Sequence, residues 1–277
     1  MIRTRFAPSP TGRLHLGHAY AAKVARDVAK AEGGEFLLRF EDIDTTRVRE
    51  EFYQGIEEDL RWLGLDWDGV PLRQTQRLVA YEGTLRALEV QGVIYPCFCT
   101  RKEIEGEIAR MAGAPHGPEG PLYPGTCKRL PAAERTAKLA GGLPFSWRLD
   151  ATAAATTTGP LTFTDLRHGT LTVDPDLLGD VILARKDIGT SYHLAVTVDD
   201  AFQSITHVTR GEDLLASTHV HRLLQTLLGF PEPVYLHHRV LVDEHGKRLA
   251  KRHDSLSIRS LRGDGISAEG VMLRLAD

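Results

Sequence analysis

The sequence predicts an α/β fold, in which a Rossmann-type, doubly wound parallel sheet carries a small inserted α+β domain. Residues 1–64 follow a strand, helix, strand, helix order, which is typical of parallel sheets covered by helices. The Gly/Pro-rich residues 112–125 and the Ala/Thr-rich residues 151–159 interrupt this pattern, and strand-like runs return after them. The middle of the chain is therefore predicted to fold as an insertion.

The N-terminal part of the sheet is predicted from four segments. Residues 2–6 form a short strand, and residues 18–31 form a helix that ends near a Gly-Gly pair. Residues 36–40 are an apolar run broken only by Arg39, as expected for a buried parallel strand. Residues 44–63 begin with Asp-Thr-Thr, whose side chains can cap a helix, and end before a glycine.

Further elements are predicted along the rest of the chain. Residues 77–91 form one amphipathic helix, and Ser217 is a suitable N-cap for a helix that ends at Leu228. The predicted strands are residues 181–184, 193–198, 205–209, 234–237 and 240–242. The predicted domains are a split Rossmann domain of residues 1–75 and 176–245, an insertion of residues 76–175, and a loop with a short tail of residues 246–277.

The composition is that of an ordinary globular protein. The 277 residues are 42% hydrophobic and 26% charged, with a formal net charge of -3. No apolar run approaches the roughly 18 to 20 residues that span a bilayer, and the N-terminus has no apolar stretch of signal-peptide length. We therefore expect a cytoplasmic protein with no membrane partner. The acidic balance disfavours uniform coating by nucleic acid but allows a local basic face.

The strongest local motif follows the first strand. Residues 8–12, Pro-Ser-Pro-Thr-Gly, form a loop, and His15-Leu16-Gly17-His18 lies where the next helix begins. A helix N-terminus at a sheet edge favours phosphate, so His15 and His18 could donate hydrogen bonds to phosphate oxygens. Gly17 would let a nucleotide base approach the backbone. The alternative is a helix N-terminus with two ordinary histidines, since His-x-x-His alone is a weak signal.

A second motif is the basic run of residues 247–253, Lys-Arg-Leu-Ala-Lys-Arg-His. Lys251 on a mobile loop could hold a leaving pyrophosphate, because phosphoryl-type transfer depends mainly on positioning and electrostatics. A solvated basic turn is the alternative for any isolated run of this kind.

Together, the two motifs resemble the paired signatures of class I aminoacyl-tRNA synthetases. Residues 15–18 match the histidine signature, and residues 248–252 match the lysine signature except at Arg248 and Ala250, where Lys and Ser are usual. Residues 5–12, 38–44, 192–200 and 205–215 are similar to the glutamyl/glutaminyl branch. The resemblance implies catalytic His15, His18 and Lys251, and an ATP site of His15, Gly17, His18 and Lys251 that takes ATP with Mg²⁺.

The same resemblance implies a pocket for glutamate. Its members are Arg5, Phe6, Ala7, Pro8, Ser9, Glu41, Tyr192 and Arg210. Their chemistry agrees, because Arg210 with Arg5 can pair the side-chain carboxylate of the substrate. Glu41 can pair its α-ammonium group, and Tyr192 can add a hydroxyl donor. For single residues the alternatives are that Arg5 points to solvent from an edge strand and that Glu41 caps a helix.

The cysteines indicate a metal site. All three lie between Cys97 and Cys127, an odd and clustered set that disfavours a disulfide framework. Structural zinc commonly takes four ligands, so Cys97, Cys99 and Cys127 leave one place open. Short relatives of glutamyl-tRNA synthetase have a tyrosine there, which the resemblance places at Tyr123. His116 is the more usual ligand chemically, and three reduced cysteines without metal are the remaining alternative. We expect one structural zinc ion in the insertion.

The length of the chain narrows the resemblance. Only 26 of the 277 residues follow Lys251, so we expect no anticodon-binding domain of the kind that a full glutamyl-tRNA synthetase carries. Length, metal pattern and motifs together resemble the glutamyl-queuosine tRNA(Asp) synthetases. These enzymes activate glutamate and transfer it to queuosine at the wobble position of tRNA(Asp). The implied partners are ATP, L-glutamate and queuosine-bearing tRNA(Asp), and we expect a monomer. The alternatives are a truncated or discriminating glutamyl-tRNA synthetase that charges the tRNA 3′ end, and a non-catalytic tRNA-binding paralogue.

Overall fold

The N-terminal segments form a parallel sheet in the order β1-β2-β3. The computed structural model describes residues 1–110, 116–118, 120–241 and 257–275. The first elements in chain order are β1 (Arg3–Phe6), α1 (Leu16–Ala31), β2 (Glu35–Phe40), α2 (Glu50–Trp62) and β3 (Leu72–Arg73). The buried face of α1 consists mainly of small residues, among them Ala19, Ala22, Ala25 and Ala29. Small side chains let this helix pack close to the sheet, because they keep the two backbones near each other.

The middle of the chain folds into short helices and an antiparallel sheet. In chain order its elements are α3 (Leu78–Val90), β4 (Ile94–Cys97), α4 (Arg101–Arg110), β5 (His116–Gly117), β6 (Gly120–Pro121), α5 (Ala132–Ala140), β7 (Ser146–Leu149) and α6 (Ala151–Thr158). β4 pairs with β7, and β5 pairs with β6. The Ala/Thr-rich run is therefore helical, and the Asp150 side chain caps α6 by accepting from the amide of Ala153.

The remaining segments complete the sheets. In chain order they are β8 (Thr162–Asp165), β9 (Gly169–Thr172), β10 (Ile182–Ala184), α7 (Tyr192–Phe202), β11 (His207–Gly211), α8 (Leu215–Leu227), β12 (Val234–His238), α9 (Ile258–Gly263) and α10 (Ala268–Leu273). A second sheet has the order β11-β12-β8-β9, with β11, β12 and β8 parallel. β1 lies beside β11, and the amide of Thr206 donates to the Arg3 carbonyl oxygen at 3.0 Å. The carboxyl ends of β1 and β11 therefore meet at one edge, where ligands bind in doubly wound folds.

Strand pairing crosses the predicted domain limit at residue 175 in both directions. β8 and β9 precede that limit, but β8 pairs with β12 through Asp165 and Tyr235. β10 follows the limit, but it pairs with β7. The division into domains stays a prediction, and the two predicted units share strands.

Two hydrophobic clusters form most of the core. One joins α1, α2, β1 and β2, and it includes Ile258, Leu261 and Val271 from the last two helices. The other joins α3 and α6 to α7 and α8, with Tyr81 and Leu194 among its members. Helices of the predicted insertion thus pack directly against helices of the Rossmann part. Among the helices that the structure describes, none is long and apolar enough to cross a membrane.

Two predicted strands are wrong. Residues 193–198 lie within α7, where residues 194–200 are all buried. A helix covered on all sides has a continuous apolar sequence, and that removes the period which distinguishes a helix from a strand. The predicted strand at 240–242 is not formed at residues 240 and 241, and residue 242 lies outside the described residues.

Two predicted helix starts are also wrong. α2 begins at Glu50 rather than at Asp44, because the Asp44 carboxylate accepts from the amide of Thr46 at 3.3 Å and from its hydroxyl at 2.6 Å in a local turn. α8 begins at Leu215, so Ser217 is a buried residue of its first turn rather than its N-cap. The other predicted strands and helices are confirmed to within two residues.

Candidate active site

A cavity of about 300 Å³ opens at the edge where β1 and β11 end. All eight residues that the sequence assigns to a glutamate pocket line it: Arg5, Phe6, Ala7, Pro8, Ser9, Glu41, Tyr192 and Arg210. His18 from α1 lines it as well. The fold thus brings these side chains together from β1, from the ends of β2 and β11, and from the start of α7. Their roles stay predictions.

Arg210 is a buried cation whose hydrogen-bond partners are all uncharged. It is 6% exposed. Its guanidinium group donates to the Tyr192 hydroxyl, His221 Nδ1 and His237 Nε2, each at 3.1 Å, and to the Thr218 hydroxyl. No carboxylate within the described ranges forms an ion pair with it. A buried guanidinium without a counter-ion is unfavourable, so this end of the cavity is suited to an anion.

Arg5, predicted to assist Arg210, is already paired. Its guanidinium group contacts both carboxylate oxygens of Asp200, at 2.8 and 3.2 Å, and the Thr209 carbonyl oxygen at 3.0 Å. Arg39 reaches the same Asp200 at 2.7 Å. Burial alone would raise the pKa of Asp200, but the two arginines lower it below its ordinary value. Arg5 is therefore buried rather than directed to solvent, and it is ion-paired with Asp200, a carboxylate that it shares with Arg39.

Glu41 follows β2 and lines the same cavity. Burial raises the pKa of Glu41 to about 7, although Arg39 and Arg5 act in the opposite direction. It is not the N-cap of a described helix, so the capping alternative does not hold. A half-buried carboxyl group with a raised pKa binds a cation favourably, because the cation restores its charged form. The α-ammonium group of an amino acid is such a cation.

A second cavity of about 300 Å³ adjoins the first and shares Ser9, Glu41 and Tyr192 with it. Asp44 and Arg47 contribute charged groups to its other wall. The two cavities therefore form one cleft with Glu41 and Tyr192 at the junction. Each part is large enough for an amino acid, so the cleft has space for two reactants side by side.

The two histidines of the first motif form a reciprocal cap at the start of α1. His15 Nδ1 accepts from the Gly17 amide at 3.1 Å, and His18 Nδ1 accepts from the His15 amide at 3.3 Å. Because each Nδ1 is an acceptor, each neutral ring carries its proton on Nε2. The ring centroids lie 3.8 Å apart. Two imidazole donors therefore lie at a helix N-terminus, which itself favours anions.

The surroundings of this histidine pair are only partly described. A Cβ atom on Gly17 would lie 3.0 Å from Cε1 of His15, so the glycine is needed at least for the His15 ring. Residues 248–252, including Lys251, lie outside the described residues. Ser257, where the description resumes, forms a β-bridge with His15. The lysine motif is thus followed by a segment anchored beside the histidine motif.

The predicted metal ligands lie close together. The three cysteine sulfurs lie within 4.8 Å of one another. The Tyr123 hydroxyl oxygen is 3.3 Å from Cys97 Sγ and 3.6 Å from Cys99 Sγ, and Cys99 Sγ is 3.4 Å from Cys127 Sγ. Zinc with tetrahedral bonds of about 2.3 Å to sulfur separates its ligands by about 3.8 Å, so the spacing suits a metal ion. His116 lies on β5, but its side chain is outside the description.

Sequence reasoning missed the buried polar groups beneath the cavity. They are Arg39, Asp200, His193, His221 and His237. Arg39 had a visible signal, because it is the only charged residue in the apolar run of β2. The histidines had none, since they come from separate elements and no local motif joins them.

Parallel sheets with a cleft at their carboxyl edge and a histidine pair at the first helix are an arrangement suited to binding a nucleotide. Residues 1–276 match the family described as tRNA synthetases class I (E and Q), catalytic domain, and the chain belongs to this family. The α/β fold prediction is thereby confirmed at the level of a Rossmann-like class I catalytic domain.

Individual relatives agree with this assignment. The chain is 48% identical over 273 residues to the glutamyl-Q tRNA(Asp) synthetase of Rhodobacter capsulatus, covering 97% of each. It is 38% identical to glutamate–tRNA ligase 2 of Syntrophus aciditrophicus, covering 99% of this chain and 56% of that protein. A crystal structure of glutamate-tRNA synthetase from Elizabethkingia anophelis is similar with a TM-score of 0.78 at 30% identity. That similarity covers 91% of this chain and 52% of the solved one, so the chain spans about half the length of that synthetase.

Proposed function

We propose that this protein activates L-glutamate with ATP and transfers the glutamyl group to queuosine at the wobble position of tRNA(Asp). The proposal that the amino acid is glutamate rests on the buried guanidinium of Arg210, which has no carboxylate partner within the described part of the chain. The choice of acceptor is supported by the relative from Rhodobacter capsulatus, whose name states that acceptor and whose length the chain matches.

In the proposed complex, the side-chain carboxylate of glutamate pairs with Arg210, and its α-ammonium group pairs with Glu41. Burial raises the pKa of Tyr192, so its hydroxyl stays protonated and can donate to the same carboxylate while it accepts from Arg210. Arg5 is held by Asp200 and contributes a fixed wall of the pocket. Phe6, Ala7, Pro8 and Ser9 provide the remaining surface at the end of β1.

The first step forms glutamyl-adenylate. The α-carboxylate of glutamate attacks the α-phosphorus of ATP, and the bond to pyrophosphate breaks. His15 and His18 donate from Nε2 to phosphate oxygens as negative charge develops at the helix N-terminus. Lys251, six positions before Ser257 in the sequence, is assigned to hold the departing pyrophosphate. Mg²⁺ enters with ATP and neutralises phosphate charge.

The second step transfers the glutamyl group. A hydroxyl of the queuosine cyclopentene-diol attacks the activated carbonyl, loses its proton, and displaces AMP. The cavity with Asp44 and Arg47 adjoins the amino-acid pocket, and it gives an acceptor a route to that carbonyl. An unstacked base of an anticodon loop can enter such a cleft, because single-stranded loops present splayed bases. This tRNA substrate is also our reason for expecting a cytoplasmic location.

We further propose that Cys97, Cys99, Tyr123 and Cys127 bind one structural zinc ion in the insertion of residues 76–175. Four protein ligands leave no open position for water, so the ion would stabilise the fold rather than take part in the reaction. Three thiolates and a phenolate around a divalent ion carry a net negative charge. The Arg148 guanidinium, 3.8 Å from the Tyr123 ring centroid, would compensate that charge.

The acceptor is tested with matched tRNA substrates. The protein is incubated with ATP, labelled glutamate and tRNA(Asp) that either carries or lacks queuosine. Each tRNA is used intact and after removal of its 3′-terminal adenosine, which blocks charging of the 3′ end. We expect label on both queuosine-bearing forms and on neither unmodified form.

The other outcomes identify the alternatives. Label that requires the terminal adenosine, or that is found on tRNA(Glu), would show a glutamyl-tRNA synthetase that charges the 3′ end. Binding of tRNA without glutamate-dependent pyrophosphate exchange would show a non-catalytic paralogue. Sedimentation of the same preparation measures whether the protein is the expected monomer.

A further inference from the structure

The guanidinium group of Arg210 is held by a defined set of acceptors. A guanidinium carries five N–H bonds. The Nε–H group donates to His237 Nε2. The two Nη1 hydrogens donate to the Tyr192 hydroxyl and to His221 Nδ1, and one Nη2 hydrogen donates to the Thr218 hydroxyl. One Nη2 hydrogen remains for a ligand. The position of that hydrogen depends on every acceptor having a lone pair directed at Arg210.

His237 supplies its lone pair only in one tautomer. Its Nδ1 lies 2.7 Å from a carboxylate oxygen of Asp165, and an ionised carboxylate can only accept. The ring proton must therefore be on Nδ1, which leaves Nε2 as an acceptor. Burial and the neighbouring charge of Arg210 together lower the pKa of His237 to about 4, although Asp165 acts in the opposite direction, so the ring is neutral. Both side chains are fully buried.

Asp165 is itself fixed by the backbone. The oxygen that faces the His237 ring also accepts from the His237 amide at 3.0 Å, and the other accepts from the amides of Arg167 and His168 at 2.9 and 3.0 Å. Burial would raise the pKa of Asp165, but these hydrogen bonds lower it, so the carboxylate is ionised. Asp165 is thus a fixed, charged acceptor two residues past the buried Phe163 of β8.

A second donor converges on the same lone pair. The Thr218 hydroxyl oxygen lies 3.1 Å from His237 Nε2 while it accepts from Arg210, so its own proton is directed to that nitrogen. On the opposite side, Arg210 donates to His221 Nδ1, which places the His221 proton on Nε2, 3.2 Å from His193 Nδ1. All of these hydrogen bonds have one consistent direction: Arg210 sets it on the His221 side, and Asp165 sets it at His237.

We infer that Asp165 and His237 are positioning residues for the choice of amino acid: Asp165 fixes the tautomer of His237, and His237 fixes the Arg210 guanidinium that receives the side-chain carboxylate of glutamate. The inference rests on the proposed function. Neither residue touches the substrate. If the His237 tautomer were reversed, an N–H on Nε2 would face both the Arg210 Nε–H and the Thr218 hydroxyl. Arg210 would then turn away and lose its selectivity for a carboxylate over an amide.

Asp165→Asn tests this dependence with little change of shape. An amide nitrogen at the His237-facing position donates to Nδ1 and drives the ring proton to Nε2. In glutamate-dependent pyrophosphate exchange with tRNA(Asp) present, we expect the KM for glutamate to rise by about tenfold or more, and the preference for glutamate over glutamine to fall by a similar factor. The KM for ATP should stay within about twofold, because ATP does not touch this network.

Asp176→Asn is the matched control, since Asp176 is exposed and close in sequence. Equal glutamate KM and equal discrimination in the two variants would overturn the inference. A fall in exchange rate with unchanged KM for glutamate would also overturn it, because a merely structural role behaves in that way. Absence of glutamate-dependent exchange in the wild type would refute the proposed function instead.

A second measurement does not depend on activity or on the folding of Asp165→Asn. Nitrogen NMR of the wild-type protein with ¹⁵N-labelled histidine reports which ring nitrogen carries the proton. The His237 signal is assigned from its loss in His237→Gln. We expect the proton on Nδ1 at neutral pH, and a proton on Nε2 would overturn the inference even if Asp165→Asn failed to fold.

Discussion

Replacing Glu41 by glutamine should make the protein more stable and less active. Burial raises the pKa of Glu41 to about 7, compared with an ordinary value of 4.5. Below the ordinary value the carboxyl group is protonated in both the folded and the unfolded state, and folding is unaffected. As the pH rises from 4.5 to about 7, the unfolded chain releases its proton first, so the free energy of unfolding decreases.

The size of this effect follows from the shift. A difference of about 2.5 pKa units corresponds to about 3 kcal/mol, and water that reaches a half-buried carboxyl group reduces the figure to about 1–3 kcal/mol. Glutamine does not ionise. Glu41→Gln should therefore raise the Tm by about 2–10 °C at about pH 8. At about pH 5 the increase should be much smaller, because the carboxyl group is then ionised in only a part of the unfolded chains.

Thermal unfolding followed by circular dichroism at these two pH values measures the effect. Glu89→Gln is the control, because Glu89 is exposed on α3 and should give no pH-dependent difference. Glu41→Gln should also lose most of its glutamate-dependent pyrophosphate exchange, since the charge proposed to pair the α-ammonium group is gone. If Glu41→Gln had a lower Tm than the wild type at the higher pH, or changed the Tm equally at both pH values, Glu41 would not be a destabilising carboxylate.

Three further substitutions test the surroundings of the cleft and the proposed metal site. Asp200→Asn should lower the free energy of unfolding by about 3–5 kcal/mol, because Arg39 would stay buried without its carboxylate. Denaturant titration measures this free energy. Glu82→Gln is the control, because Glu82 is exposed and its replacement should change the free energy of unfolding little. Cys127→Ser should remove bound zinc, measured by elemental analysis, and lower the Tm, whereas Tyr123→Phe should bind zinc more weakly. Stoichiometric zinc in Cys127→Ser would contradict the proposed site.

The sequence could predict the parts of the site that are built from contiguous residues. The loop 8–12, the histidine pair and the Cys97–Cys99 pair are local patterns, and the structure places their described members at one edge of the sheet or in one cluster. The resemblance to the glutamyl/glutaminyl branch supplied the distant members Tyr192 and Arg210. Their convergence in one cavity depends on the parallel pairing of strands, which no local pattern shows.

Other features could not be predicted because tertiary context decides them. α7 looks like a strand in sequence because it is buried on every side. His15 is an unusual N-cap, so the start of α1 had no ordinary capping signal. Asp200 gave no sign that it would pair two arginines, because its partners lie 195 and 161 residues away. The acceptor role of His237 requires Asp165 from a strand that the sequence did not predict.

The pairing of β8 with β12 limits how the middle of the chain can vary. Asp165 belongs to residues 76–175, yet it supports His237 from the neighbouring strand of the same sheet. A deletion variant that lacks this whole segment would lose β8 and β9, which are two of the four strands of the second sheet, together with the anchor of the Arg210 network. During evolution the segment could not be gained or exchanged as a self-contained cassette without rebuilding the amino-acid pocket. The hairpin of β5 and β6 near the cysteine cluster is free of this constraint, because it pairs with no other strand of the described chain.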